Sequence, residues 1–300
     1  MTSPRLSTAM QAAPMKIASM LVAMVLGSLA AVSPALGQIS TSTSTPISAP
    51  ASTPASTSDD RIVVSADGTT LTGTNGGAGA SLGWLHNFDA SNLAGIAVEH
   101  QGLSNAQWTF ASLNGSTAVG PADQRYTFSG EAHEGAGHDG VRAFHYRIEA
   151  VDVAGTFDSK LTALIEDRRI DVETTHGNLP KVGLTYLWSP HVSTSVAYQY
   201  SVSGNLGTRL PSGRIDSYWA TVNLFGGVAW GPTSPILFDV PTGLIENLVQ
   251  RTRELKEGYV GASKPFPKLR SNLTIVADYE DLAGIKKASL TLSYIFHIGS

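Results

Sequence analysis

Residues 287–298, Lys-Ala-Ser-Leu-Thr-Leu-Ser-Tyr-Ile-Phe-His-Ile, alternate with a period of two. Ala288, Leu290, Leu292, Tyr294, Phe296 and Ile298 share one parity. Ser289, Thr291, Ser293 and His297 share the other, with Ile295 its one apolar member. Successive side chains of a strand point to opposite faces, so this pattern makes one oily face and one wet face. The oily face ends in aromatics, the side chains that settle where hydrocarbon meets water.

The opposite end of the chain carries a targeting pattern. Arg5 and Lys16 are basic, residues 17–32 are apolar or small, and Ala35-Leu36-Gly37 supplies small residues before Gln38. The apolar run is shorter than the ~20 residues of a spanning helix, and Pro34 breaks it. Residues 1–37 are therefore expected to be a cleaved signal peptide. Residues 38–60, rich in Ser, Thr and Pro, hold too little apolar surface to offset the entropy of ordering and read as a disordered leader. Residues 61–300 are of a size for one barrel domain.

No later segment is long and apolar enough for a membrane helix. A chain bound for a membrane must then close its strands into a barrel, because only closure pairs every backbone donor in lipid. The chain has no cysteine. That excludes a lipid anchor on cysteine, a thiol nucleophile and a disulfide framework. Charged residues make up 15% and the formal net charge is -4, so no nucleic-acid surface is indicated.

Period-two stretches separated by Gly, Asn, Asp and Pro predict strands at 61–72, 79–87, 92–101, 106–113, 124–132, 141–153, 158–172, 181–189, 191–203, 214–228, 233–241, 256–265, 271–280 and 287–298. The count is fourteen, or twelve without the two weakest, 61–72 and 233–241. The expected fold is all-β, an antiparallel transmembrane β-barrel. Val182, Leu184, Tyr186 and Trp188 are expected to face lipid, as are Val196 and Tyr198. Phe144, Tyr146, Ile148 and Ala150 are read the same way. A soluble β-sandwich also alternates, with its apolar face as core. The aromatics near strand ends and the export signal favour the barrel.

Loop lengths orient it. Short periplasmic turns and longer outer loops are the rule for such barrels. Counting back from the C-terminus places the turns near 87–91, 154–156, 189–190, 230–232 and 265–268 inside. It places 73–78, 133–140, 173–180, 204–213 and 242–255 outside. Residues 243–256 break the period and predict a short helix in an outer loop, with Leu244, Leu248 and Leu255 on one face. It is read as a cap on the rim or, alternatively, as a constriction folded into the lumen.

The candidate lumen-lining and selectivity residues are Arg125, Glu131, His145, Arg147 and Glu149. His145, Arg147 and Glu149 recur at every second position, and Arg125 and Glu131 belong to the preceding strand. Ionised groups lining a passage select solutes by charge; packed against one another in a narrow barrel, they are only ion pairs. His133, Glu134, His138 and Asp139 flank glycines and read as loop rather than as a metal site. No cofactor and no metal is expected.

Two resemblances add to this. Residues 270–296 look like the closing hairpin of Gram-negative outer-membrane barrels, among them exopolysaccharide-associated barrels and small porin-like channels. The ending at Tyr294-Ile295-Phe296 resembles their assembly signal, although His297, Ile298, Gly299 and Ser300 follow. This resemblance implies the cell outer membrane as location, with outer-membrane lipid and the barrel-assembly machinery as partners. Separately, His191-Val192-Ser193 with Asn205 resembles the His-x-Ser…Asn arrangement of outer-membrane phospholipases. The polar residues flanking that family's motif are missing, and His191 and Ser193 share the lumen parity, so no enzyme is expected. Three functions follow: a channel for passive passage of small hydrophilic solutes, a component of exopolysaccharide export or surface assembly, and a lipid-modifying enzyme.

Overall fold

The computed structural model describes residues 59–298 apart from 74–75, 104–105, 122–123, 139–142, 159, 173–174, 205, 220 and 235–252. The signal peptide and nearly all of the leader lie outside the described residues. The strands are β1 (Asp59–Leu71), β2 (Gly77–Asn87), β3 (Asn92–Leu103), β4 (Ala106–Val119), β5 (Tyr126–His138), β6 (Ala143–Thr156) and β7 (Leu161–Val172). They continue with β8 (Thr175–Ser189), β9 (Val192–Tyr200), β10 (Arg209–Tyr218), β11 (Asn223–Thr233), β12 (Arg253–Phe266), β13 (Ser271–Leu282) and β14 (Ile285–Ile298). Each pairs antiparallel with its neighbours in sequence, and β1 pairs with β14, so fourteen strands close into a barrel with no free edge.

The count of fourteen holds, but two predicted strands are corrected. The stretch 214–228 spans the turn between β10 and β11, because apolar residues such as Trp219 and Val222 carry the alternation through it. The stretch predicted at 233–241 is no separate strand where it is described: Thr233 ends β11, and 235–241 lie outside the described residues. Trp230-Gly231-Pro232, expected as a turn, lies within β11. The predicted helix also changes. Residues 243–252 lie outside the described residues, and 253–256 begin β12 as strand. A 3-10 turn at Pro267–Leu269 is the one helical element among the described residues.

Both described ends of the chain, Asp59 and Ile298, lie at one end of the barrel, here the turn end. The opposite, loop end holds the longest connection in sequence, 234–252. It also has tight hairpins, as at Ala283-Gly284. There φ is 52° and 97°, the positive values a two-residue hairpin needs, and the Gly284 N–H bonds the Asp281 carboxylate at 2.7 Å.

The face of each strand follows from cross-strand partners, which share a side of the sheet. Leu82, Val98, Leu113, Val151, Ile165, Val182, Val196, Ile215, Val260 and Leu290 are all exposed on the outer wall, between 45% and 65%. Trp84, Tyr126, Phe128, Trp188 and Trp219 are exposed near the turn end. A closed barrel wearing such a belt of apolar side chains on its outer wall cannot rest in water. It is an outer-membrane β-barrel, with lipid as the solvent of its outer wall.

Polar bonds pin the turn end. Asp59 pairs with His297 at 2.6 Å and Arg270 at 3.3 Å across the β1–β14 seam. The Trp84 indole donates to Asp60 at 3.0 Å. Between β2 and β3, the Asp89 carboxylate accepts from the Asn92 side-chain amide at 2.7 Å and the Ser91 backbone N–H at 2.7 Å. These bonds, the Asn92 amide first, hold the Asp89 carboxyl below the usual carboxylate range.

Candidate functional site

The inner wall divides along the barrel axis. At the loop end it is apolar: Leu71, Leu103, Ala106, Trp108, Phe110, Leu255 and Leu282 form one buried cluster, with Phe144, Leu210 and Ile285 packed against it. Ile148, Ile170, Val172, Leu179 and Leu206 form a second, with Tyr146 against it. Closer to the turn end the wall becomes polar, and it carries three charge networks.

The first lies on β5–β8. Arg168, 9% exposed, reaches Glu131 at 3.1 Å and Glu166 at 3.2 Å. Lys181 reaches Glu166 at 3.2 Å, and His133 sits 3.5 Å from Glu131. The second lies on β10, where Arg214 grips Asp216 through Nε at 2.8 Å and Nη2 at 2.6 Å and lies over the Phe225 ring at 4.8 Å. The third gathers on β12–β14, β1 and β3. Lys287, 2% exposed, pairs with Glu280, and Asp278, Glu257 and Asp67 lie close enough to feel its charge. Hydroxyls fill in between, as in Ser65 with Ser293 and Thr185 with Ser195, both at 2.8 Å.

The structure brings one of the five sequence-derived candidates into the lumen: Glu131, in the first network. Arg125 lies in the turn before β5 and donates to the Ala90 carbonyl at 3.1 Å, tying two turns together at the turn end. His145, Arg147 and Glu149 face outward, which corrects the expected side of β6. Arg147 and Glu149 pair on the outer wall with side chains 57% and 40% exposed. Phe144, Tyr146, Ile148 and Ala150, expected toward lipid, point inward, where Ile148 is 5% exposed. The physical reason is that this part of β6 stands beyond the apolar belt. Its outer neighbours are Glu134, Arg169 and Asp171, and its inner neighbours are Ile170 and Val172.

The lumen residues that the sequence reading missed are Asp67, Glu99, Glu166, Arg168, Lys181, Arg214, Asp216, Glu257 and Lys287. For some of them strand parity carries the signal, as Arg214 and Asp216 alternate with the outward Ile215 and Lys181 precedes the outward Val182, whereas Arg168 stands between Asp167 and Arg169. No spacing along the chain shows which of them meet, because they come from seven strands.

The remaining candidates separate. His133 points into the lumen, while Glu134 and His138 are exposed on the outer wall of β5, as a strand's alternation requires. Among the described residues no three His, Cys, Asp or Glu converge to hold a metal. His191 bonds the Tyr218 carbonyl at 2.8 Å and stacks on Trp219 at 5.2 Å and 3°. Ser193 is 5% exposed and bonds the Tyr218 side chain. Each is held by other partners, and Asn205 lies outside the described residues. On the outer wall a groove of about 660 Å³, lined by Ile62, Leu82, Trp84, Val98 and Leu113 among others, opens toward lipid and ends at Glu134, Arg147 and Glu149.

No protein-family model matches the chain. No curated protein matches it in sequence. Among solved structures, the CymD monoaromatic hydrocarbon channel is similar with a TM-score of 0.55 at 9% identity, over 81% of this chain and 89% of that one. The deltaS2 mutant of the TodX monoaromatic hydrocarbon channel gives 0.50 at 8% identity, over 81% and 90%. At such identity the likeness is one of fold, and the fold is that of an outer-membrane β-barrel.

Proposed function

We propose that the chain is an outer-membrane channel for passive passage of small solutes, with its turn end toward the periplasm. One observation carries this reading. Ionised groups line the turnward part of the inside of a fourteen-strand barrel that carries a belt of apolar residues on its outer wall. Side chains alone fill a barrel of about eight strands; wider ones leave room for a path. The inner charges offset one another along the wall, as Arg168, Lys181 and Glu166 do, whereas unpaired in a packed core they would be expensive. The solutes are small and hydrophilic, passing the networks of Glu131, Arg168 and Lys181. Outer-membrane lipid and the barrel-assembly machinery are the partners that this fold implies. Polysaccharide export rests on the C-terminal hairpin alone.

A second reading has its own observation. The loop end of the lumen is apolar, with Leu103, Trp108, Phe110 and Leu282 each 6% exposed or less. A solute with an aromatic or aliphatic body would shed water there favourably. The two similar structures named above are monoaromatic hydrocarbon channels, which supports this reading.

One experiment separates the two. Purified protein is reconstituted into planar bilayers, with and without Trp108→Ala and Phe110→Ala. Passage of hydrophilic solutes predicts single-channel steps that grow several-fold when both rings are removed. Passage of apolar solutes predicts little ion current in the parent protein, with quenching of Trp108 fluorescence by toluene. Absence of both current and quenching, in protein shown to be folded by heat-modifiable gel mobility, overturns the channel reading.

A further inference from the structure

We infer that the wall built by Asp67, Glu99, Glu257, Asp278 and Glu280 around Lys287 is a binding station for cationic solutes that carry a primary ammonium, with Lys287 as its tethered occupant. The inference rests on the channel reading for the solute's route, but the station itself is read from the register. Glu257 on β12 faces Glu280 on β13, and Glu280 faces Lys287 on β14. Like charges directly opposite each other are unfavourable unless a cation lies between them. One inward position further along, Asp278 faces Ser289 and bonds it at 3.0 Å. Asp67 and Glu99 lie near enough to repel each other. Four carboxylates, Asp67, Glu257, Asp278 and Glu280, thus lie in the field of one ammonium, which has only three N–H donors, and Glu99 stands beside Asp67 without it. Arg253 also faces this wall, separated from Glu257 along β12 by the inward Leu255.

A second observation is independent of the acidic count. Asp67 and Gln101 both face Gly79 across the sheet. Without a side chain at Gly79 the two lean over it, and a Cβ there would meet Asp67 Oδ1 at 2.6 Å and Gln101 Cγ at 3.0 Å. Gln101 is 1% exposed, and its amide N–H donates to Glu99. That leaves Gln101 Oε1 buried with no donor, and Asp67 Oδ2 is in the same condition. Oxygen acceptors lacking donors call for N–H groups or a hard cation. Lys287 shows which of these the wall accepts, since its side chain is itself an alkylammonium. The charge balance sets this wall apart from β5–β8, where two cations, Arg168 and Lys181, face Glu131, Glu166 and Asp152.

The test removes the tethered occupant and offers a free one. Lys287→Ala protein, refolded in detergent, should unfold at a lower temperature than the parent. Millimolar n-butylammonium should restore the midpoint, and tetramethylammonium, which has no N–H donor, should not. Equal action of the two amines, restoration by Mg²⁺ alone, or no restoration overturns the station. In planar bilayers the parent should prefer K⁺ over Cl⁻. The preference should rise in Lys287→Ala and fall in Glu257→Gln, which removes a charge without changing volume. If Lys287→Ala does not fold, the Glu257→Gln selectivity decides, and an unchanged ratio overturns the inference. Restoration without any conductance would sink the channel reading and leave the station standing.

Discussion

Strands β6 and β14 have the same period and opposite histories. In β14 the outward parity is apolar from Ala288 to Ile298, and the inward parity is polar from Lys287 to Ser293. In β6 the outward parity changes partway. Val153 and Val151, 39% and 63% exposed, give way to Glu149, Arg147 and His145 toward the loop end. The inward parity changes in the opposite sense, from Asp152 to Ala150, Ile148 and Tyr146. So β14 behaves as a membrane strand from Lys287 onward, and only Ile285 and Lys286 at its loop end reverse the pattern. The loopward half of β6 behaves as a strand of a water-soluble sheet, oily within and charged without. Its neighbour β7 repeats the change, with Ile165 outward below Asp167, Arg169 and Asp171. The difference marks where the outer wall leaves hydrocarbon: lipid rewards apolar groups outside, and water rewards them inside.

The largest expected effects test this boundary from both sides. Ile170 is 1% exposed in the inner cluster beside Ile148, so Ile170→Ala should cost ~2–5 kcal/mol, as large-to-small core changes do. Leu292→Arg puts a charge on the lipid face and should cost ~2–4 kcal/mol near mid-membrane, while Ser293→Arg, pointing into the lumen, should be tolerated. Urea unfolding followed by heat-modifiable mobility reads all three. If Ile170→Ala proves neutral, the loopward half of the barrel has no packed interior. Equal losses from Leu292→Arg and Ser293→Arg would mean that β14 has no lipid face.

A smaller effect is expected on the outside of β6. The Arg147–Glu149 pair is exposed, and water screens such pairs so that they add little to stability. Glu149→Lys should therefore change stability little, and it should leave the K⁺/Cl⁻ permeability ratio of the channel where it was. A shifted ratio would return Glu149 to the lumen.

The error that put Glu149 inside shows what alternation carries and what it lacks. It separates two faces of a strand but does not say which face meets the lumen. In β14, β13 and β8 the apolar face is the outer one, so assuming lipid outside gives the right answer. In β6 the apolar parity switches between Ala150 and Val151, and that switch is itself visible in the sequence. Read as a crossing from lipid to water, it would have turned Arg147 outward and Ile148 inward. The third charge network was hidden for a different reason. Asp278 and Glu280 have lumen parity on their own strand, but Asp67 and Glu99 join them only through closure of β1 on β14 and the pairing of β2 with β3. That is a property of register, and no local spacing expresses it.

Turns are the contrasting case, because their chemistry is local and owes nothing to which face is wet. The turn at 88–91 was legible from Asp89 and its neighbours, and the structure shows why. The Asp89 carboxylate collects the Asn92 side-chain amide, the Ser91 N–H and the Asn92 N–H at 2.7, 2.7 and 2.9 Å. These donors favour the ionised form, so the folded carboxyl titrates below the unfolded one, which lies near ~3.9. The stability that the turn draws from Asp89 is then fully present above the unfolded value. It is lost as pH falls through the folded value. Other carboxylates titrate in the same window, so the useful quantity is a difference between proteins. At neutral pH, Asp89→Ala should have a slightly lower urea midpoint than the parent. The gap should close as both are taken into the acid range, because the parent's carboxyl becomes protonated and bonds less strongly. This is the smallest effect expected here, since the group is open to water. A gap that stays constant down to acid pH would show that Asp89 shapes the turn without help from its charge.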